Sequence, residues 1–400
     1  MSASTPDAKP VTVALAGVGG YGGSYLNYLD HIGAEKNIQL VAGIDPAGEK
    51  AARWNELKTK GVALFTSLDD FYASTVRADL MLLALPIHLH APETIRALEH
   101  GLHVIVEKPL CATLDEAARM IAARDKAGKI VAVGYQASFS DSVLNLKADI
   151  MAGKFGRAKR LKTLVLWPRK RSYYQRSAWA GARQARNGAW VLDSPANNAT
   201  AHFLHNMFFV LGDRVDRSAP PVEAQAELYR ANPITNFDTG VARFRTADGA
   251  ELLYYCAHPV ESLLGPRFIY EFEKGTVIHD RDTPITANFT DGTVKNYGSL
   301  DQDQGRKLWK TVDAIRGGAP IPCTIEAAMN QTRAIDGMQR SVPEVVEFPA
   351  AIRRVKTEAD GDTLTYVDGL VDVLTTCYEE NKLPYEVGVP WARKGQVVTL

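Results

Sequence analysis

The feature that most constrains the fold is a glycine-rich turn near the start of the chain. An apolar run, Val11–Ala16, is followed at once by Gly17-Val18-Gly19-Gly20-Tyr21-Gly22. This is GxGxxG between a strand-like run and a helix-like one, the setting in which it binds a dinucleotide pyrophosphate. Gly17 permits the tight turn, Gly19 lets the backbone approach the phosphates, and Gly22 lets the helix pack close on the strand. The helix N-terminus then offers N–H groups and a partial positive charge. A second apolar run, Ile38–Ile44, ends in Asp45. A carboxylate about 20 residues beyond the glycines is placed to accept hydrogen bonds from a ribose diol. The plainer reading, a strand–helix turn and an unrelated loop carboxylate, needs several coincidences.

Apolar runs alternate with helical patterns to about residue 137. Val62–Phe65, Leu80–Leu85, Val104–Val106 and Ile130–Val133 continue the strands. Helices are expected from Pro46, after Ser67, over about Pro92–His100, and from a Thr113/Glu116 capping box to Gly128. Such repetition predicts an α/β domain with a doubly wound parallel sheet covered on both faces. The pattern then changes. A helix over about Asp141–Ala152 leads to a longer strand, Ala158–Trp167. From about residue 222, strand-like runs are broken by the hairpin signals Asp248-Gly249, Lys274-Gly275 and Asp291-Gly292. Helices are expected near 198–211 and 305–317. This predicts an α+β domain with an open, mostly antiparallel sheet. Since 400 residues exceed one ordinary core, the expected division is 1–137 and 138–400. Residues 168–197, rich in Arg, Tyr, Trp and Gly, form an irregular stretch of the kind that carries function.

A net charge of +0 without a basic block argues against nucleic-acid and membrane partners. No apolar run approaches the ~20 residues that span a bilayer. The polar first residues show no leader pattern. Cys111, Cys256, Cys323 and Cys377 are far apart and read as reduced thiols of a cytoplasmic protein, with no metal motif. Ligands of doubly wound sheets bind beyond the carboxyl ends of the strands. Pro86-Ile87-His88-Leu89-His90 and Glu107-Lys108-Pro109 stand there. Lys108 would lie toward the nicotinamide end of a dinucleotide, where its charge stabilises a developing alkoxide. The alternative is a surface lysine paired with Glu107.

The chain resembles the Gfo/Idh/MocA family of nicotinamide-dependent sugar and polyol oxidoreductases over nearly its whole length. The likeness rests on Gly17–Gly22, Asp45, Pro86–His90, Gly101-Leu102-His103-Val104-Ile105-Val106-Glu107-Lys108-Pro109 and Gly134-Tyr135-Gln136. It implies a Rossmann domain, then the open sheet, with the active site between them. It implies a cofactor site at Gly17, Gly19, Gly20, Tyr21, Gly22, Asp45, Pro86, His90, Glu107, Lys108 and Gln136, with Lys108 also touching substrate. Ile87 departs from the Asn common after the proline. A family pattern of Asp or Asn four residues before a His, with Asp three after it, falls on Asn198, His202 and His205. If all three are helical, they share a face. His202 is then the candidate general base, with Asn198 beside it in place of a carboxylate and Asp193 as an alternative. Both histidines are otherwise core residues among Phe203, Leu204, Phe208 and Phe209.

The stretch from Trp167 to Gly181 resembles the family's substrate loop. Arg169, Tyr174, Arg176, Trp179 and His205 are the implied substrate contacts, and His258 a further group from the sheet. Tryptophan faces cover a sugar ring, and Arg169 or Arg176 can clamp a carboxylate. The bland alternative is a rigid surface loop pinned by its aromatics. Asp45 repels a 2′-phosphate, and Pro46-Ala47-Gly48 supplies no offsetting cation, so NAD is expected over NADP. The expected activity is hydride transfer from a secondary alcohol of a carbohydrate or polyol to NAD. Its rivals are redox-assisted elimination of a glycoside and a sensor without turnover. A homodimer or homotetramer is expected through the open sheet face.

Overall fold

The computed structural model describes residues 9–300 and 303–400. These form two compact units, one of residues 9–111, 115–136 and 303–325, the other of 112–114, 137–300 and 326–400. In the first unit, strands β1 (Val11–Ala16), β2 (Ile38–Ile44), β3 (Ala63–Phe65), β4 (Leu80–Leu83), β5 (His103–Val106) and β6 (Val131–Val133) make a sheet of order β3-β2-β1-β4-β5-β6. Every pairing is parallel. Helices α1 (Gly22–Ile32), α2 (Trp54–Thr59), α3 (Leu68–Ala73), α4 (Ile87–Glu99) and α5 (Leu114–Ala127) alternate with these strands. The apolar runs of β1 and β4 are buried almost throughout, as a sheet covered on both faces requires. The order reverses at β1, whose neighbours are β2 and β4. The carboxyl ends beside this switch point carry Gly17, Asp45, Pro86 and Glu107-Lys108 on one edge.

Two helices differ from expectation. The one expected from Pro46 is a 3-10 turn, Gly48–Lys50, with α2 starting only at Trp54. Positive φ at Gly48 (55°) and Arg53 (64°) interrupts the helical path. The helix expected from Pro92 starts at Ile87, with Pro92 inside it. Pro86–His90 is therefore a helix cap and first turn rather than a loop.

In the second unit α6 (Asp141–Met151) is capped by Ser140, whose Oγ accepts from the amide of Val143. Strand β7 (Ala158–Leu166) and a short helix α7 (Arg171–Gln175) follow, then α8 (Ala201–Val210). The remaining strands are β8 (Pro221–Arg230), β9 (Thr239–Thr246), β10 (Glu251–Ala257), β11 (Leu264–Phe272), β12 (Gly275–Asp280), β13 (Ile285–Phe289), β14 (Val294–Gly298) and β15 (Val346–Glu347). They join β7 in the order β14-β13-β12-β11-β7-β10-β9-β8-β15, and a terminal strand, Val398–Thr399, pairs with β8. The sheet is mostly antiparallel, with β7 and β10 a parallel pair near its middle. The three hairpin signals fall between β9 and β10, β11 and β12, and β13 and β14. Leu204, Phe208 and other residues of α8 pack with Ala334, Ile335 and Met338 in a core that includes Tyr254 of β10. Leu370, Leu374 and Cys377 pack in a separate core with Leu253 and Tyr255.

Helix α9 (Arg306–Ile315) belongs to the first unit, although the expected division at 137/138 placed it in the second. Local bonds explain this. Arg316 donates to the carbonyls of Lys36 (3.0 Å) and Asn37 (2.7 Å), and the carbonyl of Cys323 accepts from the amide of Val133 (3.0 Å). The long helix α10 (Ile325–Ser341) and α11 (Leu370–Glu380) had no assignment in the sequence reading. No helix among the described residues is long and apolar enough to cross a membrane. All four cysteines are buried free thiols.

Candidate functional site

The four glycines of the first turn have different physical reasons. A Cβ on Gly17, at φ 88°, would lie 2.3 Å from the carbonyl oxygen of Ala84, and one on Gly22 only 1.7 Å from that of Gly17. Protein packing alone therefore requires these two. A Cβ on Gly19 would meet only Asp45 Oδ2, at 3.5 Å, and one on Gly20 nothing within 4 Å. Space stays open where Gly19 and Gly20 stand. The amides of Gly20 and Tyr21 find no acceptor among the described residues, and Tyr21 gives α1 no side-chain cap. Uncapped amides at the start of an eleven-residue helix fit a pyrophosphate.

Asp45, 9% exposed, closes the turn from the other side. Its Oδ2 accepts from the Gly19 amide (3.0 Å) and its Oδ1 from the Ala47 amide (2.9 Å). An ionised carboxylate has about four acceptor positions, so room remains for a ribose diol. The residues present thus fit the pyrophosphate and ribose of a dinucleotide.

Lys108 follows β5 and is half-buried. Its neighbour Glu107 is buried, and the carboxylate is held from three directions. Oε1 accepts from the Tyr25 hydroxyl (2.7 Å) and from Lys307, while Oε2 accepts from the Lys108 amide (3.3 Å). Lys307, on α9, is fully buried and also donates to the Tyr21 hydroxyl (3.0 Å). Tyr21 in turn reaches Gln136 Oε1 at 3.4 Å. The ammonium of Lys307 lies over the rings of Tyr21 (4.5 Å) and Tyr25 (4.8 Å). Burial, reinforced by the Glu107 charge, drives both phenols above their ordinary pKa, so they remain donors. One buried lysine thereby joins the glycine turn, the residue before Lys108 and the exit of β6. Sequence reading missed Lys307. Its signal is a lysine followed by Leu308, Thr311 and Val312, all on the buried side of α9.

Two implied cofactor contacts have internal duties instead. His90 is 1% exposed, with Nδ1 2.7 Å from the carbonyl oxygen of Pro109 and Nε2 2.8 Å from that of Leu85. Burial lowers its pKa, and the two carbonyls oppose that shift. Both ring nitrogens are committed, so His90 ties the end of β4 to Pro109 rather than meeting a ligand. Glu107 likewise orients Lys108 from below. Pro86 is the N-cap of α4.

In the second unit the parallel strands β7 and β10 end side by side. The amide of Trp167 donates to the carbonyl of Ala257 (2.9 Å), and that of Arg169 to the carbonyl of His258 (3.3 Å). Tyr174 Oη lies 3.0 Å from His258 Nδ1. Arg176 stacks on Tyr173 (3.8 Å) and Trp179 (4.9 Å) and pairs with Asp193 at 3.4 Å. Asp193 also accepts from the Gly181 amide (2.6 Å) and from Asn198 Nδ2 (2.7 Å). These contacts make it a brace for the loop. Arg176 is likewise a brace rather than an open contact.

The histidine pattern is corrected. Helix α8 starts at Ala201, so Asn198 lies in the turn before it and does not share a helical face with His202 and His205. The turn lets Asn198 meet Asp193. His202, in the first turn, is half-buried, and the next residue, Phe203, packs edge-on against Trp167 (5.5 Å). His205 is 1% exposed, hydrogen-bonded to Ser138 (2.9 Å) and stacked on Phe209 (5.4 Å). Burial, with help from Lys147, pushes its pKa down to about 3. It is a neutral core histidine rather than a substrate contact. No cluster of His, Cys, Asp or Glu that could hold a metal occurs among the described residues.

Residues 11–135 match the family described as Gfo/Idh/MocA, "Oxidoreductase family, NAD-binding Rossmann fold". Residues 11–135 are therefore an NAD-binding Rossmann domain of the Gfo/Idh/MocA oxidoreductase type. It is 27% identical over 158 residues to an inositol 2-dehydrogenase of Corynebacterium glutamicum, covering 39% of this chain and 46% of that one. It is 30% identical over 154 residues to a 1-carboxy-3-chloro-3,4-dihydroxycyclohexa-1,5-diene dehydrogenase of Comamonas testosteroni, 36% of each chain. These matches span less than half of the relatives' length. Over most of both chains the fold is similar to that of the WlbA dehydrogenase of Bordetella pertussis, solved with NADH and UDP-GlcNAcA. There the TM-score is 0.69 at 23% identity, covering 84% of this chain and 97% of that one.

Proposed function

We propose that the protein is an NAD-dependent oxidoreductase acting on a secondary alcohol of a sugar, a polyol or a sugar derivative. The observation that carries this reading is the open Gly19–Gly20 turn with its unclaimed amides, on the same sheet edge as Lys108. The relatives named for inositol, and a 1,5-anhydro-D-fructose reductase of Ensifer adhaerens (28% identical over 195 residues), support the substrate class.

Bound NAD supplies the hydride acceptor, C4 of its nicotinamide. Asp45 receives the ribose diol, and the Gly20 and Tyr21 amides receive the pyrophosphate. Lys108, held at its own amide by Glu107, donates to the substrate oxygen, and its charge stabilises the alkoxide as it forms. His202, in the second unit, is the candidate general base. Asp45 disfavours a 2′-phosphate. Arg53, the next arginine along the chain, is already paired with Asp30 and with Glu56 (2.6 Å), which leaves it less able to offset that repulsion. NAD is accordingly preferred to NADP, and Asp45→Ser lowers the NAD/NADP ratio of kcat/KM.

The test is a panel of sugars, polyols and glycosides assayed in parallel for NADH and for released aglycone. Net NADH from a free sugar or polyol supports the reading. Aglycone release without net NADH assigns the chain to redox-assisted elimination. Tight binding without turnover across the panel makes it a sensor.

A further inference from the structure

We propose that the substrate carries a carboxylate and that Arg169 receives it. The proposal rests on the function given above and names the class of its substrate.

Arg169 stands at the carboxyl end of β7, beside the end of β10 that carries His258. Its guanidinium lies over the rings of Tyr173 (5.1 Å) and Trp167 (5.7 Å). Its side chain donates 3.0 Å to the carbonyl of the adjacent Pro168, and it makes no ion pair among the described residues. Arg176, Arg230 and Arg243 of this unit are paired, with Asp193, Glu347 and Glu386, whereas Arg183, Arg333 and Arg353 share with Arg169 the lack of an ion pair among the described residues. Carboxylates nearby are already claimed. Asp193 has its three donors, and Asp238 accepts from the amides of Ala231 (3.0 Å) and Asn232 (2.9 Å). A part-buried cation without a counter-ion is costly, and an incoming anion relieves that cost.

His258 gives the second, independent observation. It is 1% exposed, and its Nε2 has no hydrogen-bond partner among the described residues. Burial, with Arg169 and Arg176 nearby, holds the imidazole well below its ordinary pKa and therefore neutral. Burial also keeps the Tyr174 phenol protonated. When Tyr174 donates to Nδ1, Nε2 carries the ring proton and is a buried donor without an acceptor. One guanidinium and one neutral N–H carry a single positive charge, which matches a planar carboxylate and leaves a phosphate dianion under-neutralised.

The test is calorimetric titration of the full chain with NAD present, using D-glucuronate against D-glucose and D-gluconate against D-glucitol. The acid binds at least ~10-fold more tightly than its neutral partner in one or both pairs, the scale of a charge-assisted hydrogen bond. Arg169→Gln abolishes that margin while the neutral compound's Kd stays within about threefold, and Arg169→Lys restores part of it by keeping the charge without the fork. Equal affinity for acid and neutral compound in both pairs overturns the proposal. So does an Arg169→Gln variant that weakens both members equally, or tighter binding of D-glucose 6-phosphate than of either acid. NADH formation is read separately. An acid margin that depends on Arg169 without NADH leaves the carboxylate site standing and rejects the oxidoreductase reading.

Discussion

At the strand ends of the first unit, position is fixed by the backbone. Gly17 and Gly22 admit no side chain, and Asp45 is held by two amides. Where side chains take part, they are locked by the buried Lys307–Glu107 pair. At the ends of β7 and β10, position is fixed by stacking. Arg176 lies on Tyr173 and Trp179, and Tyr173 packs edge-on against His258 (5.4 Å). The first arrangement tolerates almost no substitution and suits a ligand of constant shape. The second rests on contacts worth about 0.5–2 kcal/mol each and is adaptable, as a site for a variable substrate can be. Under the proposed function, the difference teaches that a shared cofactor and a particular substrate leave different marks on one chain.

The contrast is broken most severely at Lys307. Lys307→Met leaves Glu107 buried without its cation and should cost about 3–5 kcal/mol in urea-unfolding free energy. Adding Glu107→Gln should recover part of that loss, and a fully additive double variant would deny the coupling. Next is Lys108→Ala, expected to lower kcat at least ~100-fold, as loss of an electrostatic group at a forming oxyanion does. NAD affinity should stay nearly unchanged, and near-normal turnover would remove Lys108 from the chemistry. A third break is read as a pH slope, at His205. Its folded pKa of about 3 lies below the ordinary value of about 6.5. In that window the unfolded chain binds the proton and the folded one does not, so stability falls as pH drops from about 6.5 toward 3. The slope contribution is at most ~1.4 kcal/mol per pH unit. His205→Gln should flatten the decline, and an unchanged slope would contradict the buried neutral assignment.

The same contrast decides what was legible. Glycine positions, apolar runs and hairpin dipeptides are local, so the parallel sheet, the GxGxxG turn, Asp45 and the three hairpins of the second sheet could all be read from sequence. Lys307 lies far along the chain from Glu107, and nothing local ties the two together. That pairing, with the bonds of Arg316 and Cys323, draws α9 into the first unit. His90 was misread because its neighbourhood in sequence is that of a ligand-facing strand end, whereas the two carbonyl oxygens beside its ring, of Leu85 and Pro109, are brought together by the sheet. Asn198 was misread because a helix boundary moved by a few residues turns a shared face into a turn contact. Arg169 and Arg176 look alike in sequence, and the position of Asp193 separates the brace from a cation that has no ion pair among the described residues.

The most direct test of the account follows hydride itself. The sugar or polyol with the highest turnover is prepared with deuterium on its carbinol carbon and incubated with the protein and NAD, and the nicotinamide is then examined by NMR. The account predicts deuterium at C4 of the NADH formed, in proportion to the oxidised product. Product formed with no label on the nicotinamide would contradict it.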